Sequence, residues 1–163
     1  MKNYLVKICL IFCGLMTCLL LANCKKDDVP IPENKANSVI DGINLLRQSG
    51  CNCGTESMPP VPLLKLNTFL QDAAQTHARD MAQKNYFDHF SPEGTSPNER
   101  AAAAGYPGIF ISENLAKGYN NADQVLTAWK NSVSHCKAMM DAKNREAGMG
   151  TAQNYWVVTF GAP

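Results

Sequence analysis

The sequence lacks the short signatures that mark the commonest enzyme sites. It has no His-Glu-x-x-His, no Gly-x-Ser-x-Gly and no glycine-rich phosphate loop. Histidine is scarce, with three in 163 residues. No internal repeat or low-complexity tract breaks the chain, and its length fits one domain. No apolar run is long enough to cross a bilayer comfortably as a helix; the longest without charge is Ile8 to Ala22. Basic residues are not in excess either. The chain has 15 Lys and Arg against 14 Asp and Glu, which argues against nucleic acid as a partner, since that needs a concentrated basic face.

The Ile8–Ala22 run has the form of a secretory signal. Lys2 and Lys7 precede it, and no polar face interrupts it. It leads into Leu21-Ala22-Asn23-Cys24, which resembles a lipobox, the recognition sequence for bacterial lipoprotein maturation. That resemblance implies cleavage after Asn23, lipid on Cys24 and a membrane partner reached through that lipid. Lys25-Lys26-Asp27-Asp28 reads either as a signal for the outer face of an outer membrane or as a solvated charged linker. Export to the cell envelope is the expected localisation. Residues 1–23 are then the signal, 24–37 a tether with Pro30 and Pro32, and 38–163 the folded domain. The mature chain holds 13 basic and 14 acidic residues. With Cys24 lipidated, Cys51, Cys53 and Cys136 remain, so at most one internal disulfide forms. An oxidising compartment favours it.

Within the domain, Ser38 and Asp41 sit at capping-box spacing ahead of Val39, Ile40, Ile43 and Leu46, predicting a helix that ends near Gly50. Cys51 to Pro62 reads as irregular. Thr68 and Gln71 form a second capping box. Leu66, Leu70, Ala73, Ala74, His77 and Met81 mark an amphipathic helix to about Lys84. Shorter helices are expected at 96–104 and 121–132, the latter with Val125, Leu126, Trp129 and Val133 on one side. Strands are expected at 109–112, 148–152 and 155–160. Strands that cluster late, without βαβ alternation, predict an α+β fold with helices over a small antiparallel sheet.

Three clusters carry the candidate chemistry: His89-Phe90-Ser91-Pro92, Ser112-Glu113-Asn114-Leu115, and Trp129 through His135 and Cys136. With Gly148-Met149-Gly150 and Tyr155 to Gly161 they resemble the bacterial branch of the CAP superfamily, which includes cysteine-rich secretory proteins, venom allergens and pathogenesis-related proteins. The resemblance implies an α-β-α sandwich over residues 38–163. It also implies a cleft lined by His89, Glu113, Ser132 and His135, with Ser132 where eukaryotic members carry a second glutamate. Some members bind a divalent metal in this cleft, so His89 and His135 become candidate ligands for zinc or a similar ion. The resemblance further implies a Cys53–Cys136 disulfide, with Cys51 as the other possible partner.

Glu113 has two readings from the residues alone, a cleft role or a carboxylate that ties down its own loop. His77 lies on the apolar face of its helix and reads as a core or supporting histidine. Trp129, Trp156, Tyr155 and Phe160 read as core aromatics. Ser132 and His135, three apart, lack a visible orienting acid or oxyanion donors. Three functions therefore compete. One is an extracellular binding module for a metal, lipid, glycan, peptide or protein; another is a metal-dependent, protease-like hydrolase using the same cleft; the third is a wall-associated structural protein.

Overall fold

The computed structural model describes residues 33–163, with side chains from Ser38; the signal, Cys24 and most of the tether lie outside them. Its elements run α1 (Glu33–Ser49), β1 (Cys51–Cys53), β2 (Glu56–Met58), β3 (Lys65–Leu66), α2 (Thr68–Lys84) and α3 (Pro97–Ala103), followed by β4 (Ile109–Lys117), α4 (Ala122–Asn131), α5 (Val133–Met140), β5 (Glu146–Ala152) and β6 (Tyr155–Ala162). The main sheet has the order β3-β5-β6-β4. Its β4–β6 and β5–β6 pairings are antiparallel, whereas the short β3 joins β5 in parallel at the edge. The expected α+β sandwich is present, and its sheet is mixed rather than purely antiparallel.

Side-chain alternation along β6 explains the two layers. Trp156, Val158 and Phe160 point to one face, where they meet Val39, Ile40 and Ile43 of α1, Val125 and Trp129 of α4 and Met139 of α5. Tyr155 and Val157 point to the other, against Ala74, Ala78 and Met81 of α2. Burying apolar surface on both sides, at roughly 25 cal/mol per Å², makes this strand the centre of the fold. The helix α2 lies very close to β5. A Cβ placed on Gly148 would sit 1.9 Å from the Gln71 nitrogen, and one on Gly150 2.3 Å from the Ala74 carbonyl carbon. Glycine lets the helix backbone rest on the strand.

Several local expectations need correction. The helix α1 starts at Glu33, not Ser38, directly after Pro32 in the sequence. Residues 51–62 include a small hairpin, β1 paired with β2, because Gly54 at φ +65° makes the turn. The cap of α2 is Asn67, whose side chain accepts from the amides of Phe69 and Leu70; Thr68 is already helical. Leu66 therefore belongs to β3 and is half exposed instead of extending the apolar stripe of α2. The expected strand at 109–112 continues to Lys117, which puts Glu113 and Asn114 inside a strand. Val133 starts a separate helix and is exposed, since the chain breaks at Ser132 with extended φ −92°, ψ 118°.

A buried cation at the end of α1 has no counterpart among the expectations from sequence. Arg47 of α1 is fully buried, and its guanidinium donates to the carbonyls of Pro62, Met139, Asp141 and Asn144 at 2.6–3.1 Å. Burial, and then Arg145, lowers its pKa to about 10, so it stays charged at neutral pH. Carbonyl dipoles take the place of a carboxylate partner here, which fastens α1 to the end of α5.

Candidate functional site

His89 stands on the loop between α2 and α3, and two buried side chains hold that loop. His77 Nε2 donates to the Asp88 carbonyl at 2.8 Å, which fixes its tautomer. Arg100 Nη2 donates to the His89 carbonyl at 2.8 Å and Nη1 to the Thr95 carbonyl at 3.0 Å. Arg100 is placed by α3, whose start is a complete capping box between Ser96 and Glu99. His77 is thus the supporting histidine its apolar position predicts. Burial is the main reason its pKa lies below the usual imidazole value, and the Tyr86 hydroxyl lies 3.4 Å from its Nδ1.

Glu113 sits on β4 with its side chain almost wholly buried. Arg100 Nη2 lies 3.1 Å from both of its carboxylate oxygens, and Thr159 Oγ1 lies 3.5 Å from Oε2. His89 Nδ1 donates to Oε1 at 3.0 Å. Side chains from three elements, not the backbone of its own loop, satisfy this acid. The hydrogen bond places the His89 proton on Nδ1, leaving the Nε2 lone pair of the neutral ring available. The ring itself is 46% exposed at the cleft rim.

His135 approaches from the other layer, on the first turn of α5. Asn114, the strand neighbour of Glu113 and fully buried, donates from Nδ2 to the His135 carbonyl at 3.0 Å. Period-two alternation sends Glu113 toward α2 and Asn114 toward α5, so one dipeptide grips both sides of the cleft. The His135 pKa is lowered, first by burial and then by the electrostatic influence of His89. His135 and Ser132 line a pocket of about 270 Å³ with Phe87, Leu115, Lys117, Tyr119 and Trp129. Among the described residues, the Ser132 hydroxyl pairs with Ser134 Oγ at 3.3 Å and not with His135.

The sequence match is to the family described as cysteine-rich secretory proteins (CAP), over residues 40–160. The chain belongs to the CAP family. It is 33% identical over 99 residues to the uncharacterized protein YkwD of Bacillus subtilis, covering 60% of this chain and 38% of that one. It also resembles the solved extracellular SCP-domain protein of Bacillus anthracis at TM-score 0.72 and 23% identity, covering 80% of this chain and 41% of that one. An outer surface protein of Borrelia burgdorferi matches at TM-score 0.66 and 24% identity, over 80% of this chain and 93% of that one. The aligned stretch is thus well under half of the B. subtilis and B. anthracis proteins, and the structural likenesses speak for the fold alone.

In this CAP domain, the structure joins His89 directly to Glu113 and sets His135 and Ser132 on the adjacent pocket. The disulfide forms between Cys53 and Cys136, and Cys51 is free. Among the described residues, the sulfurs of Cys51, Cys53 and Cys136 make the one set of three potential ligand atoms within 4.8 Å of one another. Two of them share a disulfide and offer no thiolate, so that set suits a metal only when reduced. The residue that sequence reasoning missed in the cleft is Arg100. An arginine four positions after a helix cap reads as surface charge, and nothing in its spacing announces a buried partner 13 residues on.

Proposed function

We propose that this protein is an exported, lipid-anchored CAP domain serving as an extracellular binding module, whose His89/His135 cleft takes a divalent metal ion or a small ligand. One observation carries the reading. The Nδ1 proton of His89 is committed to Glu113, which orients Nε2 as a ligand in the carboxylate–histidine arrangement typical of metal sites. His135, kept neutral by burial, supplies a second nitrogen, and water completes the shell. Two imidazoles and water make a site of modest affinity.

The hydrolase reading has less behind it. Both Glu113 oxygens are already engaged by Arg100 and one by His89, and the Ser132 hydroxyl pairs with Ser134 rather than His135. Calorimetric titration with zinc at neutral pH tests the site. Wild type is expected to bind and the His89→Ala/His135→Ala chain is not; equal binding by both would refute it.

Export and anchoring rest on the Ile8–Ala22 run and Cys24; the extracellular and outer-surface proteins of similar fold support the export part of this reading. One acyl chain holds a protein only reversibly, whereas several give stable attachment. Cys24→Ser should therefore shift the protein from the detergent phase to the aqueous phase, or stall it with its signal attached. Unchanged partitioning would remove the anchor from the proposal.

A further inference from the structure

Three sulfurs meet where the β1–β2 hairpin packs on α5. Cys53 and Cys136 are bonded, and the half-buried Cys51 thiol lies 3.8 Å from Cys136 Sγ. Strand geometry brings this about. Residues two apart on β1 face the same way, so Cys51 and Cys53 both aim at one residue of α5. Leu46, Met58, Val61 and Met140 pack around them, which shields the group on its inner side.

We propose that Cys51, Cys53 and Cys136 form a thiol–disulfide exchange site that gives this protein two covalent isomers. Cys51 loses its proton to solvent, and its thiolate attacks Cys136 Sγ. The Cys51–Cys136 bond forms as the Cys53–Cys136 bond breaks, and Cys53 leaves as a thiolate that takes a proton back from solvent. One thiol and one disulfide are present before and after, so no oxidant or reductant is consumed. The alternative attack on Cys53 would join two cysteines across a single residue, which disulfide geometry disfavours. The three sulfurs lie within 4.8 Å of one another, more compact than the in-line arrangement the exchange needs. Rotation of the Cys51 side chain supplies that alignment. The exchange moves the staple by two residues along the hairpin while keeping its other end on Cys136, next to the cleft residue His135.

Disulfide mapping of the full chain tests this. Protein held overnight at pH 8 is quenched in acid, its free thiols are capped with N-ethylmaleimide, and the unreduced peptides are sequenced by mass spectrometry. Both Cys53–Cys136 and Cys51–Cys136 linkages are expected. The approach to their final ratio after a jump from lower pH should quicken as the pH rises, because the thiolate is the attacking species. Cys53→Ser should carry Cys51–Cys136 throughout, and Cys51→Ser only the Cys53 linkage. Wild type that shows Cys53–Cys136 alone at pH 8 overturns the proposal. So does folded Cys53→Ser with Cys51 and Cys136 both free; if that variant does not fold, the wild-type map decides.

Discussion

Arg100 Nη2 of α3 lies 3.1 Å from both carboxylate oxygens of Glu113 on β4, and both side chains are more than nine-tenths buried. This pair supports the cleft from beneath, since the same guanidinium nitrogen holds the His89 carbonyl and the same carboxylate holds the His89 ring. Removing one partner leaves a buried charge without its counterion. Arg100→Met should therefore cost about 3–5 kcal/mol. The double variant Arg100→Met/Glu113→Gln should recover part of that loss. Urea midpoints of the two chains check this, and a double variant less stable than Arg100→Met would contradict it.

His77 gives the protein a specific acid sensitivity. Its folded pKa is held below 6.5, mainly by burial, so the unfolded chain binds the proton first as pH falls. Its contribution to stability is present in full above about pH 6.5 and shrinks as pH drops toward the folded value. Between pH 7 and pH 5, wild type should lose more stability than His77→Gln, which keeps a donor for the Asp88 carbonyl. Equal losses would assign the acid response to other groups.

The Cys53–Cys136 bond spans 83 residues and ties the β1–β2 hairpin to α5. Chain-entropy models assign about 4 kcal/mol to a loop of that size, and measured values are often smaller. Cys136→Ser removes the partner that ties either hairpin cysteine to α5, so its urea midpoint should fall to that of reduced wild type. A midpoint equal to that of oxidised wild type would mean the bond adds nothing to stability.

Gly150 is needed for the contact between α2 and β5. The Cβ of Gly150→Ala would press on the Ala74 backbone, which no side-chain rotation relieves. The strain is expected to exceed the about 1–3 kcal/mol usual for overpacked cores. Thermal melting should show a sharp loss; a melting temperature within a degree of wild type would show that the helix shifts freely.

Much of this architecture was legible in the chain. The stripe of Leu70, Ala73, Ala74, His77 and Met81 marks α2, and the β-branched and aromatic run from Tyr155 marks β6, because periodicity is a local property. The resemblance around His89, Glu113 and His135 named the candidate cleft residues and implied the disulfide to Cys136 that the structure contains. Other features depended on residues far apart in sequence. Which of Cys51 and Cys53 bonds to Cys136 follows from how the hairpin sits on α5, and β3 exists only because it pairs with β5, 81 residues on. Arg100 and Arg47 look like surface charges until the fold surrounds them with a carboxylate and with carbonyls. The sequence by itself determined the helices, the central strand and the identity of the candidate ligands. Only the tertiary structure decided which charges are buried and which atom of His89 is left open, because burial and hydrogen-bond partners are set by segments that meet only on folding.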